Sequence, residues 1–150
     1  MRRPFQKLAP EYKLSDTILK KGTDILRELR YNKPMKAYDD YAILRDILAK
    51  KFLVTAGFTN MQKSKVKHLG IEQDFVEFHV ADPDKSDLIK KDVFADIIQR
   101  HNLNPDEVLV IGDDPESEIQ AGKDLGLETI LYDQENFNPY CQEPRITSFS

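Results

Sequence analysis

The sequence predicts an α/β fold in which helices cover both faces of a parallel sheet. Short apolar runs alternate along the chain with amphipathic segments, which is the order that builds parallel sheets with right-handed crossovers. At 150 residues, with 40% hydrophobic and 32% charged residues, the chain is long and apolar enough to form one core. Glycines and polar residues follow the apolar runs, as expected where strand ends present a ligand site.

The first fifty residues are predicted to contain two helices. Apolar residues recur at helical spacing between Ser15 and Arg30, so we expect one amphipathic helix there. Asn32-Lys33-Pro34 turns the chain, and a second helix is expected from Tyr41 to about Lys50. The pair Asp39-Asp40 precedes this second helix and follows no buried strand, which favours a capping role. The apolar positions of the first helix are Ile18, Ile25, Leu26 and Leu29.

Beyond residue 50 the pattern changes to strand, turn and helix. Phe52-Leu53-Val54 predicts a buried strand, and Leu69-Gly70 predicts the end of the helix that follows it, with Thr59 or Asn60 as its cap. Apolar and polar residues alternate over Phe75–Val80, which indicates a second strand. The next helix is strongly amphipathic, and its apolar positions are Ile89, Val93, Phe94, Ile97 and Ile98.

The stretch Val108–Glu118 carries the most chemical information. Its β-branched run predicts a buried strand, and Gly112 then allows a tight exit. Asp113 and Asp114 follow where a helix begins at Pro115, and Asp114 is the expected cap of that helix. One cap is sufficient, so the other carboxylate is left for chemistry. Adjacent carboxylates at the end of a parallel strand favour a divalent cation.

The remainder of the chain is predicted to complete the sheet. The helix from Pro115 should end at about Leu125, because Gly126 stops it, and Glu128–Leu131 is the next strand. The tail from Gln134 is mostly loop, since two prolines interrupt it. Two apolar residues near the carboxyl terminus are candidates for a last edge strand, Ile146 and Phe149.

Composition argues against several kinds of partner. The net charge of -4 disfavours nucleic acid, and the early basic residues fit a solvated surface as well as a binding patch. No apolar run reaches the length of a membrane span, so no membrane partner is expected. Cys141 is the single cysteine, which predicts a reducing, cytoplasmic setting. The early basic residues are Arg2, Arg3, Lys7 and Lys13.

Two of these stretches resemble motifs of the haloacid dehalogenase (HAD) superfamily, whose members are mostly magnesium-dependent phosphatases. Phe52–Gly57 resembles the second motif, an apolar strand ending in Thr or Ser, and Val108–Glu118 resembles the fourth. The resemblance covers about Pro34 to Ser150 and the carboxyl-terminal two-thirds of such proteins. It implies a three-layer, Rossmann-like HAD core over residues 34–150 and a cap-like helical remnant or linker over 1–33. After the second motif the likeness continues at Gln62, Lys65, Leu69 and Gly70.

The resemblance implies roles for residues at both strand ends. HAD phosphatases transfer a phosphoryl group of a small phosphorylated metabolite to an Asp carboxylate, and water then hydrolyses the aspartyl phosphate. By this likeness Asp113 would bind Mg²⁺, with Asp114 or Glu118 assisting directly or through water. Thr55 would hydrogen-bond a phosphoryl oxygen, together with the backbone near Ala56-Gly57.

The lysine of the third motif has three candidates in this sequence. Family members carry it several residues before a core aromatic, here Phe94, and often follow it with proline, but no Lys-Pro is present. Lys90 and Lys91 lie nearest the expected region, whereas Lys85 would serve if the helix began at Ser86. All three lysines also fit a solvated helix start, and the sequence does not choose among them.

The first motif of the family is not matched. It is an apolar strand ending in Asp-x-Asp with a following Thr or Val, and it supplies the nucleophile, so no residue is named for that role. The strand is central to the family's sheet, and its loss predicts a gap between the strands ending at Thr55 and Ile111. Three explanations stay open: the chain is a fragment or a mis-started reading frame, another segment or subunit fills the gap, or the chain is a pseudoenzyme.

Two functions of different classes follow from the resemblance. The first is a HAD-type phosphohydrolase, inactive as this 150-residue chain, whose nucleophile comes from a missing amino-terminal segment. The second is a non-catalytic HAD-like module for binding or assembly, with a homodimer or another partner covering the open sheet. A receiver or flavodoxin-like domain shares the alternating pattern, but here the acids follow a late strand and no flavin-phosphate loop is visible.

Overall fold

The computed structural model describes Phe5 and residues 9–150, so Arg2, Arg3 and Lys7 lie outside the described residues. The described residues form two compact units, one running up to Lys36 and continuing over Lys50–Asp87, the other made of Ala37–Ala49 and Leu88–Ser150. The helices are α1 (Asp16–Glu28), α2 (Tyr41–Asp46), α3 (Thr59–Leu69), α4 (Lys90–Arg100) and α5 (Gln120–Asp124). The strands are β1 (Phe52–Ala56), β2 (Glu77–Ala81), β3 (Leu109–Gly112), β4 (Glu128–Tyr132) and β5 (Arg145–Ile146). In this part of the chain, no helix is both long enough and apolar enough to cross a membrane.

The first unit is built on two parallel strands. β1 pairs with β2 from Phe52 opposite Glu77 to Ala56 opposite Ala81. α3 lies between them in the chain and packs against both β2 and α1. It ends as predicted at Gly70, whose φ of 67° is the left-handed conformation that glycine adopts without strain.

The start of α3 differs from the prediction. Neither Thr59 nor Asn60 is the cap, because Phe58 occupies that position and its side chain cannot accept a hydrogen bond. The acceptor is instead Asp82, directly after β2, whose carboxylate accepts a hydrogen bond from the Thr59 N–H. A partner distant in the sequence therefore does the work of a local cap, which is why the local pattern placed the cap wrongly.

The second unit contains three parallel strands in the order β3-β4-β5. β5 confirms the predicted edge strand at Ile146, although Phe149 lies beyond it. The helix predicted from Pro115 is not continuous. A single wide π-helical turn, Pro115–Ile119, precedes α5. The buried apolar residues of this unit are Phe94, Ile97, Val110, Ile119, Ala121, Leu127 and Leu131.

Parallel strands alternating with helices confirm the predicted α/β class. Among the described residues, strand pairing does not join the two sheets, so β1 and β3 belong to different sheets. These are the two strands between which the sequence predicts a gap. The second predicted helix is shorter than expected, because α2 ends at Asp46.

Candidate functional site

The end of β1 carries the Thr55 hydroxyl, and the backbone N–H of Gly57 beside it is already hydrogen-bonded. Thr55 donates its hydroxyl hydrogen to Oε1 of Gln62, 3.3 Å away. The N–H of Gly57 donates to the carbonyl oxygen of Ala81 at 3.0 Å, which extends the hydrogen bonding between the strands. Of the predicted phosphoryl-binding group, the Thr55 hydroxyl and the Gly57 N–H therefore both already have a hydrogen-bond partner.

A glutamine from α3 covers this turn. Gly57 has a φ of 136°, and a Cβ there would lie 2.6 Å from Nε2 of Gln62. Glycine is therefore required for its backbone conformation, whereas the amide is the end of a flexible side chain and could move aside for a Cβ. The sequence interpretation noted Gln62 as part of the motif likeness but gave it no role. Gln62 lies five positions after Gly57, and the turn and the start of α3 between them bring the two together.

A buried carboxylate follows β2. Asp82 is 4% exposed, and its Oδ2 accepts hydrogen bonds from the N–H and the hydroxyl of Thr59 at 2.8 and 2.5 Å. Its Oδ1 accepts from the N–H of Asp84 at 3.0 Å, and Nζ of Lys85 lies 4.0 Å from Oδ2. Both oxygens are occupied and shielded from solvent, so Asp82 holds the start of α3.

The sequence interpretation overlooked that Asp82-Pro83-Asp84 is itself an Asp-x-Asp sequence after a strand. The apolar residues before Asp82 could have indicated this motif, although Ser86 occupies the position at which the family has Thr or Val. In the structure, both carboxylates already accept hydrogen bonds from other residues. Asp82 binds Thr59, and a nucleophile must have a free, accessible oxygen to reach phosphorus.

Asp84 receives a two-point hydrogen bond from α1. Nε and Nη2 of Arg27 donate to its two oxygens at 2.6 and 2.9 Å, and Nη1 of Arg27 donates to Asp24 at 2.8 Å. The hydrogen bonds from Arg27 lower the pKa of Asp84, and those with Asp84 raise the pKa of Arg27. Asn60 also donates its side-chain amide to the carbonyl oxygen of Arg27 at 2.8 Å. These bonds fasten α1 to the loop after β2 and to the start of α3.

In the second unit, the predicted acidic pair directly follows β3. The Asp114 carboxylate accepts a hydrogen bond from the N–H of Glu116 at 2.9 Å, which confirms its predicted role as a cap. Asp113 is exposed at the tip of the turn. The structure therefore separates the two carboxylates by role: one is fixed by the backbone and the other faces solvent.

Glu118 lies buried against the end of β3, with 9% of its surface exposed. A Cβ on Gly112 would be 2.6 Å from Cβ of Glu118, so this glycine is what allows the close approach. Oε1 of Glu118 accepts a hydrogen bond from Nζ of Lys90. Oε2 is buried and has no hydrogen-bond partner among the described residues.

The three candidate lysines have different partners. Lys90 forms the buried pair with Glu118, and both side chains are nearly nine-tenths buried. Lys91 faces the surface, where Nζ lies 3.4 Å from Oδ2 of Asp124, and Lys85 belongs to the other unit, near Asp82. Lys90 is thus the one of the three that reaches an acid of the Asp113–Glu118 turn.

Aromatic residues surround a second carboxylate of this unit. The hydroxyl of Tyr132 donates to both oxygens of Asp40 at 3.1 and 3.0 Å, and the N–H of Phe149 donates to Oδ2 at 3.0 Å. Asp40 occupies the N-cap position of α2, as the sequence predicts, but its side chain makes no capping hydrogen bond. The Phe149 hydrogen bond, followed by that from Tyr132, lowers the pKa of Asp40. Partial burial and the Asp40 hydrogen bond raise the pKa of Tyr132 to about 12.

Tyr38 extends the aromatic group toward the acidic turn. Its ring centre lies 6.2 Å from that of Tyr132, and its hydroxyl donates to Oε1 of Glu135 at 3.3 Å. Partial burial raises the pKa of Tyr38, and the negative charges of Glu135, Asp113 and Asp40 add to that shift. Tyr38 therefore lies among negatively charged groups.

The oxygen donors of the acidic turn fit Mg²⁺ chemically, because this ion takes one or two carboxylates together with water and phosphate oxygens. Asp113 is accessible, and Glu118 has an unsatisfied oxygen. Asp114 is committed to its cap. Over Phe5 and residues 9–150, no three His, Cys, Asp or Glu side chains converge as a ready-made metal site.

Comparison with known families gives one match. A family model described as a haloacid dehalogenase-like hydrolase matches residues 5–126, which is most of the chain and includes both strand ends. No curated protein matches the chain significantly.

Proposed function

Because the chain belongs to the haloacid dehalogenase-like hydrolase family, we propose that it carries phosphoryl- and Mg²⁺-binding residues of a phosphohydrolase for a small phosphorylated metabolite. The observation that carries this proposal is the buried pair of Lys90 and Glu118, which leaves one Glu118 oxygen unsatisfied among the described residues. A buried polar atom without a partner is costly, and a cation that arrives with the substrate gives a reason to keep it.

Each proposed site residue has a separate task. The hydroxyl of Thr55 donates to a phosphoryl oxygen, and Asp113 with Oε2 of Glu118 holds Mg²⁺. Lys90 orients Glu118 through its hydrogen bond and adds positive charge where negative charge develops. Asp114 fixes the turn through its cap. When bound, Mg²⁺ would offset charge on the transferred phosphoryl group.

Metal binding tests the proposal without requiring turnover. The chain is titrated with Mn²⁺ as a paramagnetic substitute for Mg²⁺, and free Mn²⁺ is followed by electron paramagnetic resonance. We expect saturable binding that Mg²⁺ reverses and that Asp113→Asn weakens by tenfold or more, since a charged ligand is lost. Glu116→Gln removes one charge from the same turn and serves as the control, because Glu116 is exposed. Equal binding by wild type and Asp113→Asn would overturn the metal assignment.

Activity distinguishes the hydrolase from the alternative. We propose that the 150 residues alone do not hydrolyse p-nitrophenyl phosphate, because no nucleophile has been assigned in them. A chain extended by any in-frame upstream segment that ends a strand in Asp-x-Asp should hydrolyse the ester, and Asp113→Asn should abolish that activity. Turnover by the unextended chain would show that the nucleophile lies within it.

The alternative is a non-catalytic HAD-like module for binding or assembly. It is favoured by the fact that the carboxylates of Asp82 and Asp84 are committed to Thr59 and Arg27. This module would bind Mn²⁺ without turnover in any extended form, and a second copy or another segment would cover the open sheet. A cytoplasmic location, expected from the single Cys141, belongs to both proposals.

A further inference from the structure

The end of β1 has few hydrogen-bond donors left for a phosphoryl group. The N–H of Gly57 is bonded to Ala81, and the N–H of Thr59 is bonded to the buried carboxylate of Asp82. That carboxylate also occupies the amino-terminal end of α3, where an anion would otherwise be attracted. Two of the backbone donors on which such a turn could rely are therefore already taken.

Gln62 supplies a donor at this position. Its side chain returns from α3 to the turn, where Oε1 accepts from Thr55 and Nε2 lies over Gly57. Among the described residues, Nε2 makes no hydrogen bond. A partly buried amide with its acceptor used and its donors free is complementary to an anion.

We propose that Gln62 is a positioning and anion-binding residue of the phosphoryl site, which directs the Thr55 hydroxyl and adds an amide donor beside it. This inference rests on the proposed function and extends it to a residue that the motif reading left without a role. The two groups that this proposal uses, the Thr55 hydroxyl and the Gln62 amide, both belong to the first unit.

We expect two states of this arrangement, which differ in the direction of the Thr55 hydroxyl hydrogen and in the orientation of the Gln62 amide. Without an anion, the Thr55 hydroxyl donates to Oε1 of Gln62, so its hydrogen points away from a ligand. With an anion, the hydroxyl turns to donate to it. Half a turn of the Gln62 amide then places one N–H of Nε2 against Oγ1 of Thr55, which strengthens the hydroxyl as a donor, and leaves the other N–H for the anion. Gly57 leaves the space in which the amide turns, because a Cβ there would meet it at 2.6 Å.

Binding of sulfate to the intact chain tests this role. Sulfate is the probe because its charge stays constant between pH 4 and pH 8, so pH acts on the protein alone. Binding is measured by calorimetry for the wild type, Thr55→Ala, Gln62→Ala and Gln62→Glu. Gln73→Glu is the matched control, since Gln73 is exposed near the opposite end of α3 and the substitution changes the charge of the chain equally.

We expect Gln62→Ala to weaken sulfate binding about tenfold, as for loss of a hydrogen bond to a charged group. Gln62→Glu should bind more weakly still at pH 7, where the new carboxylate repels the anion. It should recover as pH falls through about 4.3, the ordinary glutamate pKa, because the protonated acid is again a neutral donor. A purely structural role would not produce this recovery relative to Gln73→Glu.

The outcomes separate this inference from the proposed function. If Thr55→Ala loses sulfate while both Gln62 variants bind like the wild type, the phosphoryl site stands and the role of Gln62 is refuted. Absence of sulfate binding by the wild type would overturn both. If Gln62→Glu does not fold, Gln62→Ala with an unchanged melting temperature decides the question alone.

Discussion

At the ends of β1 and β3 a side chain packs over a glycine, but it is neutral at β1 and charged at β3. Gly57 directly follows β1 and Gly112 ends β3, and a side chain from the following helix or helical turn folds back onto each glycine: Gln62 onto Gly57, and Glu118 onto Gly112. At β1 the returning group is a neutral amide bonded to a hydroxyl. At β3 it is a carboxylate paired with Lys90 and left with one unsatisfied oxygen among the described residues.

This difference suggests how one local design serves two ligands. A neutral amide with free N–H groups offers donors, which suit the oxygens of an anion. A carboxylate with a free oxygen offers an acceptor, which suits a cation. In both places a side chain packs over a glycine, although of the two only Gly57 has a positive φ, and the identity of that side chain sets the chemistry. Changes that remove one feature at a time should therefore affect the two ends differently.

The largest effect is expected from breaking the charged end. Lys90→Met leaves Glu118 buried without its cation, which should cost about 3 kcal/mol in the free energy of unfolding. Lys91→Met, one residue along the same helix, removes a surface pair and should cost less than about 0.5 kcal/mol. Urea titration measures both variants.

A second substitution shows whether that cost arises from the unpaired charge. In Lys90→Met with Glu118→Gln, the buried charge is gone, and much of the lost stability should return. If Lys90→Met and Lys91→Met are equally stable, the buried pair of Lys90 and Glu118 contributes no more to stability than a surface pair.

The next largest effect is expected from the neutral end. Gly57→Ala forces a residue with a Cβ to adopt a φ of 136°, which should cost about 2 kcal/mol. The amide of Gln62 is the end of a flexible side chain and can move aside. Adding Gln62→Ala should therefore leave the stability of Gly57→Ala unchanged to within about 0.5 kcal/mol. A large recovery in the double variant would show that crowding, rather than backbone strain, makes Gly57 necessary.

The parts of this comparison that depend on local sequence were predictable. The apolar runs gave the strands, Gly70 gave the end of α3, and Asp114 gave a cap. Lys90 could not be chosen over Lys91, because neighbours on a helix point in different directions and only the position of Glu118 decides which one is paired.

Contacts between residues distant in the sequence were not predictable from local patterns. The acceptor for the start of α3 is Asp82, 23 residues after Thr59, and the partners of Asp40 lie 92 and 109 residues away. Local rules assign such acids to the nearest helix end, and Asp40 does lie at the N-cap of α2, but its carboxylate bonds to Tyr132 and Phe149 instead of the helix. The Asp82-Pro83-Asp84 sequence was visible, but only the packing shows that its carboxylates are occupied.

The smallest effect is expected after β2 and β4, where the two units are most alike. Asp82 follows β2 and Asp133 follows β4, and each is 4% exposed and accepts backbone N–H groups. Asp133 differs in having an arginine partner, since Nη1 of Arg145 donates to it at 2.9 Å. Although burial raises the pKa of Asp133, the hydrogen bonds from Asn138, Arg145 and Phe137 outweigh burial and lower it.

This lowered pKa fixes the sign of a pH effect. Between the folded pKa of Asp133 and the unfolded value of about 3.9, the unfolded chain binds more protons, so stability rises with pH across that window. The contribution of Asp133 is complete above pH 4 and is lost as pH falls through the folded value. Asp133→Asn should therefore lower the urea midpoint at pH 7, and its difference from the wild type should shrink below pH 4. Asp87→Asn, at an exposed position, is the control. A difference that is the same at pH 7 and pH 3 would mean that the shape of the Asp133 side chain, rather than its charge, holds the loop after β4.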